Sequence, residues 1–198
     1  TSSLVHDDLP CMDDDMMRRG KASTWAEYGE DIGVLTGDAL MMYAFETAAN
    51  AFETSIDPDE LSRIGRAMGI LARKTGVYGM IGGQTVDVEL AGGPIPGDKL
   101  EFIYRLKTGA LIEASMLIGA VLGGAAEEDC KIVESLAAKI GMAFQIQDDI
   151  LDVTGSQDVT GKPSGSDEKN KKTTYVTLEG LEKAKKDVEQ ISTEAIEE

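Results

Sequence analysis

The sequence predicts an all-α protein, a single-domain helical bundle, and three observations carry that reading. Pro10, Pro58, Pro94, Pro96 and Pro163 divide the 198 residues into long intervals. Within them apolar residues recur three, four or seven apart instead of alternating, and the longest apolar stretch outruns a strand. The segment Ser55-Ile56-Asp57-Pro58-Asp59-Glu60 starts a helix: Asp57 caps it, Pro58 takes the first helical position, and acids fill the first turn beside the positive end of the helix dipole. Gly92-Gly93-Pro94-Ile95-Pro96-Gly97 is a connection. From Asp98 a helix is read through Leu100, Ile103, Tyr104, Leu111, Ile112, Ile118, Val121 and Leu122. A second runs from Asp129 to about Val153, with Ile132, Leu136, Ile140, Phe144 and Leu151 on one stripe. Residues 154–174 form a polar loop whose one clearly apolar residue is Val159, and a loop of that length in a compact domain is usually functional or disordered. Helical pattern resumes from about Leu178 to the end. Gly65, Gly69, Gly76, Gly79, Gly109 and Gly119 sit inside helical patterns, which costs stability unless helices pack closely, and close helix packing is the expectation.

Composition removes several classes of function. Asp and Glu number 36 against 19 Lys and Arg, a net charge of -17, so the basic face that a nucleic-acid binder needs is missing. Anions held through metal ions, or cationic ligands, suit this balance better. Cys11 and Cys130 are the only cysteines and stand in no pair spacing, which excludes a disulfide framework and a thiolate zinc site and makes a reducing compartment, the cytoplasm, the expectation. His6 is the only histidine, so two-His metal sites and HD-type phosphohydrolase chemistry are excluded. The most apolar run, Ala110 to Ala126, is interrupted by Glu113 and diluted by small residues, so no stable membrane insertion is expected. The chain opens on Thr1 without Met and is read as a piece of a longer protein, which leaves an organellar targeting segment ahead of it open.

Two acidic clusters carry the chemistry. In Phe144-Gln145-Ile146-Gln147-Asp148-Asp149-Ile150-Leu151-Asp152, Asp148 and Asp152 lie one turn apart on the same helix face. Most such pairs belong to a solvated surface, but these have apolar flanks, and clustered, partly desolvated carboxylates require a counter-charge. Oxygen-only ligands favour a hard ion such as magnesium. The first cluster is His6-Asp7-Asp8-Leu9-Pro10-Cys11-Met12-Asp13-Asp14-Asp15, where Pro10 forbids a regular helix and the backbone has to bulge, bringing Asp7 and Asp13 toward one ion. Arg18 and Arg19 follow, with planar forks that suit phosphate oxygens; the plainer alternative is that they pair with Asp14 and Asp15.

With these residues the chain resembles the trans-isoprenyl diphosphate synthases, the polyprenyl synthetase family that makes farnesyl and geranylgeranyl diphosphate. The resemblance runs through Asp7, Asp8 and Asp13 with Arg18-Arg19-Gly20-Lys21, Gly37-Asp38-Ala39-Leu40, Gly83-Gln84 with Asp87, and Lys107-Thr108-Gly109. It continues through the second cluster, Gly161-Lys162 and Ser166-Asp167-Glu168-Lys169-Asn170-Lys171-Lys172-Thr173, and so covers essentially all of the sequence. It implies an isoprenoid synthase domain over 1–198 with helices around a central cavity, incomplete at its N-terminus and shorter than family members at its C-terminus. It implies Asp7, Asp13 and Asp148 as principal magnesium ligands, with Asp8, Asp149 and Asp152 supporting and three ions present with substrate. It further implies Arg18, Lys107, Lys162 and Lys172 on the allylic diphosphate, Arg19 on isopentenyl diphosphate, and Thr108 and Gln145 presenting oxygen to the allylic cation. A homodimer and head-to-tail prenyl transfer by magnesium-assisted ionisation complete the implication.

Two departures from the family pattern stand out. The upstream Gly-Lys-x-x-Arg segment and histidine that hold isopentenyl diphosphate have no counterpart, so these residues by themselves are expected not to bind both substrates. Ala22-Ser23-Thr24-Trp25 stands where Pro-Thr-x-His is usual. His6 is read as a structural neighbour of Asp7. Ser3 and Ser2, four and five residues before Asp7, are small and lean toward geranylgeranyl diphosphate, although Met41, Met42 and Tyr43 could close the same pocket. A class I terpene cyclase is the rival enzyme, disfavoured by the aspartate-rich second cluster. A non-catalytic subunit of a heteromeric synthase is the other rival, disfavoured because both clusters are intact.

Overall fold

The computed structural model describes residues 1–155 and 173–198, in two compact units: 1–56, and 57–155 with 173–198. Lys162, Lys172 and most of the polar loop read from the sequence lie outside the described residues.

In the first unit, helix α1 (Ser2–Asp7) and helix α2 (Thr24–Tyr28) pack on the long helix α3 (Glu30–Thr54). Two glycines one turn apart on α3 make the seat. A Cβ on Gly33 would come within 2.8 Å of Leu9 Cδ2 and 3.0 Å of Trp25 Cβ, and one on Gly37 would collide with the His6 ring. The His6 Nε2–H donates to the Val34 carbonyl at 3.0 Å, so the only histidine fastens α1 to α3. The sequence did not foreshadow a hairpin here, yet β1 (Met17–Arg18) pairs antiparallel with β2 (Lys21–Ala22). Arg19 and Gly20 have φ of 53° and 76°, the positive pair that a type I′ turn requires.

The second unit holds α4 (Pro58–Thr75), α5 (Met80–Glu89), α6 (Gly97–Ile103), a π-helical turn (Tyr104–Gly109), α7 (Ala110–Leu122), α8 (Glu127–Thr154), α9 (Tyr175–Glu179) and α10 (Leu181–Glu197). The start read at Asp57 and Pro58 is present, and the Asp57 carboxylate accepts the Asp59 N–H at 3.0 Å. The helix expected from Asp98 forms too, but a π turn breaks its regularity at Tyr104.

The core of this unit is laid along α8. Cys130 joins Leu117 and Val121 of α7, while Ile146 and Ile150 close with Ala184 of α10. The apolar stripe read on α8 is not the face that packs. Ile132, Ile140, Phe144 and Leu151 are exposed, and the buried residues are Cys130, Ala137, Gly141, Ala143, Ile146, Asp149 and Ile150. Small residues face the neighbours because the helices approach closely there: a Cβ on Gly141 would lie 2.8 Å from the Gly109 Cα. Close packing does not explain every glycine, since a Cβ on Gly69 or Gly119 would meet nothing within 4 Å.

A buried ion pair ties α4 to α7. Lys74 Nζ donates to Glu113 Oε1, their side chains being 19% and 10% exposed, and Glu134 of α8 stands 3.8 Å from the same ammonium. Burial, partly countered by Lys74 and reinforced by Glu134, raises the Glu113 carboxyl above its ordinary value. The stability contributed by that proton is present below the ordinary carboxylate value and is lost as pH rises through the raised one. Lys74→Met, which strands the Glu113 charge, is expected to cost about 3 kcal/mol and lower Tm by roughly 6–12 °C. Lys74→Met with Glu113→Leu should recover most of this in thermal melts. Equal losses in the single and double variants would show that the pair's partners contribute only volume.

Candidate active site

In the first unit, the sequence around Pro10 folds as a compact acid-bearing loop. With α1 ended at Asp7, the Asp13 N–H donates back to the Asp7 carbonyl at 2.9 Å and the Asp15 N–H to the Asp8 carbonyl at 3.1 Å. The bulge read from Pro10 is therefore present, and it makes Asp7 and Asp13 backbone neighbours despite six residues of separation. Asp14 sits in the left-handed region at φ 54°, a cost accepted where the chain doubles back on itself.

Asp8 is 3% exposed and engages Arg18: Arg18 Nε donates to its two oxygens at 3.0 and 3.3 Å, and Nη2 closes the fork. Arg18 Nη2 also lies 3.5 Å from Asp15, so the partners are Asp8 and Asp15, not Asp14 and Asp15. Burial lowers the Arg18 pKa, but the hydrogen bond and charge of Asp8, with the charges of Asp15 and Asp7, outweigh it and hold the guanidinium above its ordinary value. Arg19 is exposed at the hairpin corner. Sequence reasoning gave Trp25 no role, yet its indole N–H donates to the Asp15 carbonyl at 3.0 Å and braces the acid loop from α2. The one available signal was a tryptophan, unique in the chain, where the family carries histidine.

In the second unit, the π turn is wedged between two glycines. A Cβ on Gly83 of α5 would fall 2.8 Å from the Leu106 carbonyl carbon and closer still to the Lys107 nitrogen, and Gly141 of α8 meets Gly109 from the other side. That wedge sets Lys107 and Thr108. Lys107 Nζ donates to Asp87 Oδ2 at 2.6 Å, and Thr108 Oγ1 donates to Gln145 Oε1 at 2.8 Å. One turn beyond Phe144, Asp148 is exposed, and Asp152 is half-buried. Asp149, expected beside them as a supporting ligand, is instead 5% exposed and faces inward.

Among the described residues no three His, Cys, Asp or Glu side chains converge into a ready metal cage. Magnesium does not require one, because it keeps several waters and is held by one or two carboxylates together with phosphate oxygens. The aspartates here are all-oxygen donors with Asp7, Asp13, Asp148 and Asp152 exposed or half-buried, and they fit such an ion.

The fold is all-α and carries two aspartate clusters, the first of them ion-paired to Arg18. The chain belongs to the polyprenyl synthetase family, whose model matches residues 1–198. It is 44% identical over 198 residues to the large subunit 1 of the chloroplastic heterodimeric geranylgeranyl pyrophosphate synthase of Arabidopsis thaliana, covering 98% of this chain and 53% of that protein. It is 42% identical over 185 residues to the farnesyl diphosphate synthase of Geobacillus stearothermophilus, covering 93% of this chain and 61% of that protein. The Helicobacter pylori geranyltransferase solved with magnesium and isoprenyl diphosphate superposes with a TM-score of 0.87 at 36% identity, covering 99% of this chain and 62% of that one. The chain thus spans little more than half the length of the curated relatives it matches.

Proposed function

We propose that the full-length protein condenses isopentenyl diphosphate with an allylic diphosphate, head to tail, to make a short-chain all-trans prenyl diphosphate, and that these 198 residues are part of one isoprenoid synthase domain. The observation that carries the reading is a stripe on α8. Ile140, Phe144, Asp148 and Asp152 follow at intervals of four, the first two exposed and apolar, the next exposed and acidic. Such a stripe offers a hydrocarbon chain one end and a metal diphosphate the other.

Asp7, Asp13, Asp148 and Asp152 would hold magnesium, as three ions when substrate is bound, with Asp8 orienting the fork of Arg18. When bound, magnesium supplies the charge that stabilises a departing diphosphate. The remaining steps belong to the chain's own residues. Lys107, held by Asp87, places a fixed ammonium for the diphosphate, with Arg18, Lys162 and Lys172 on the same substrate and Arg19 on isopentenyl diphosphate. Because the Thr108 hydroxyl commits its hydrogen to Gln145, its lone pairs are left to face an electron-poor carbon. The apolar residues Ile140 and Phe144 keep water from the allylic cation, the isopentenyl double bond attacks it, and the proton then lost goes to the freed diphosphate.

Incubation of the full-length protein with isopentenyl and allylic diphosphates and magnesium, followed by chromatographic sizing, tests this. Linear prenyl diphosphates are expected. Cyclic hydrocarbon would establish a cyclase instead, and turnover only with an added partner a subunit of a heteromer. Geranylgeranyl diphosphate is the proposed product, because Ser2 and Ser3 leave room on α1. Ser3→Phe should shift the product toward farnesyl diphosphate, and an unchanged product length would remove α1 from the pocket floor.

We further propose a homodimer. Leu35, Met42 and Tyr43 of α3 expose large apolar side chains that a second copy would cover. No helix of the described residues is long and apolar enough to cross a membrane. Free Cys11, exposed, and Cys130, buried, suit the reducing cytoplasm.

A further inference from the structure

Asp149 belongs to the second acidic cluster by sequence but not by position. Asp148 and Asp152 lie on the accessible side of α8, whereas Asp149 is 5% exposed and points into the unit. Its Oδ2 accepts the Tyr104 hydroxyl at 2.5 Å and the Tyr175 N–H at 2.7 Å. The Tyr175 N–H also lies 3.1 Å from the Tyr104 hydroxyl oxygen, so three elements meet at one carboxylate oxygen.

Each element leads to a group of the proposed site. Tyr104 is the first residue of the π turn that carries Lys107 and Thr108. Asp149 follows Asp148 and stands one turn after Gln145, the partner of Thr108. Tyr175 opens α9, after Thr173, whose hydroxyl accepts the Ile95 N–H at 3.1 Å, and Thr174, which caps α9 through a capping box. A π turn is a rare, poorly propagating arrangement that persists where its surroundings hold it. Glycines hold its flanks here, and the Tyr104 hydroxyl holds its first residue.

We propose that Asp149 is a positioning residue and not a magnesium ligand: through one oxygen it latches the π turn and the start of α9 to α8, keeping Lys107 and Thr108 in register with Asp148 and Gln145. The catalytic half of this inference rests on the prenyl-transfer reading. The structural half does not.

The test uses the full-length protein with Asp149→Ala, Asp149→Asn, Tyr104→Phe and, as comparator, Asp148→Asn. Without substrate or metal, exchange of the Tyr175 amide should quicken by about tenfold in Asp149→Ala and severalfold in Tyr104→Phe, while Asp149→Asn, which keeps an acceptor oxygen, recovers much of the protection. In turnover, Asp149→Asn should leave the half-saturating magnesium concentration within about twofold of wild type, with its loss falling on the allylic KM and kcat, whereas Asp148→Asn should raise that concentration by about tenfold or more. Unchanged Tyr175 exchange in both Asp149→Ala and Tyr104→Phe would overturn the latch. A magnesium shift in Asp149→Asn equal to that of Asp148→Asn would overturn it too, in favour of direct ligation. If the wild-type protein transfers no prenyl group, the parent reading fails and amide exchange still decides the latch. Should Asp149→Ala not fold, Tyr175 exchange in Tyr104→Phe decides it alone.

Discussion

Asp148→Asn in the full-length protein is expected to lower prenyl-transfer turnover by about 10³-fold, since holding a metal at developing diphosphate charge is worth several kcal/mol at the transition state. Asp148 is exposed on α8, and no described residue donates to its carboxylate, so its charge is available to an ion. Asparagine keeps the volume and loses the charge. Part of the activity should return at high magnesium, because a weakened site is refilled by mass action. Asp152→Asn should be milder by about tenfold, its carboxylate being half-buried at the end of the stripe. Stability should not fall in Asp148→Asn, which thermal melts would check. Turnover within threefold of wild type for Asp148→Asn would detach the α8 acids from the chemistry.

The features legible in the sequence are those that a helix encodes locally. The α4 start was readable because a cap, a proline and acids sit within one turn, and α7 and α8 because their apolar spacing persists over many residues. The loop that makes Asp7 and Asp13 neighbours followed from one proline among acids. Features fixed by partners far along the chain were not legible. The π turn depends on Gly83 and Gly141, residues on two other helices, and nothing in Tyr-Arg-Leu-Lys-Thr-Gly departs from an ordinary helical pattern. The packed face of α8 is not legible because the residues flanking its acidic cluster are apolar almost all round, so periodicity does not say that small residues face neighbours and large ones face out. Asp149 was grouped with Asp148 because adjacency in sequence hides a rotation of about 100° around the helix axis. The Lys74–Glu113 pair joins residues 39 positions apart, and no local pattern announces such a partner.

Gly83→Ala separates a wedge from a mere helical glycine, with Gly69→Ala as its counterpart. On helix propensity alone both substitutions should stabilise, by about 0.5–1 kcal/mol. The surroundings decide otherwise at Gly83, where the added methyl would meet backbone atoms of Leu106 and Lys107 at distances that no side-chain rotation relieves. Either α5 moves off or the π turn shifts, at a cost of about 3 kcal/mol and a Tm lower by roughly 6–12 °C. Because the displaced atoms belong to Lys107 itself, turnover should fall by about 10²-fold as the ammonium and Thr108 leave their places. Gly69 of α4 has open space, so Gly69→Ala should raise Tm by about 2–4 °C and leave turnover unchanged. The pair of measurements divides propensity from packing: if Gly83→Ala behaved like Gly69→Ala, the Gly83 wedge would not set the lysine, and the geometry of the π turn would have to come from Gly141, Tyr104 and Asp149.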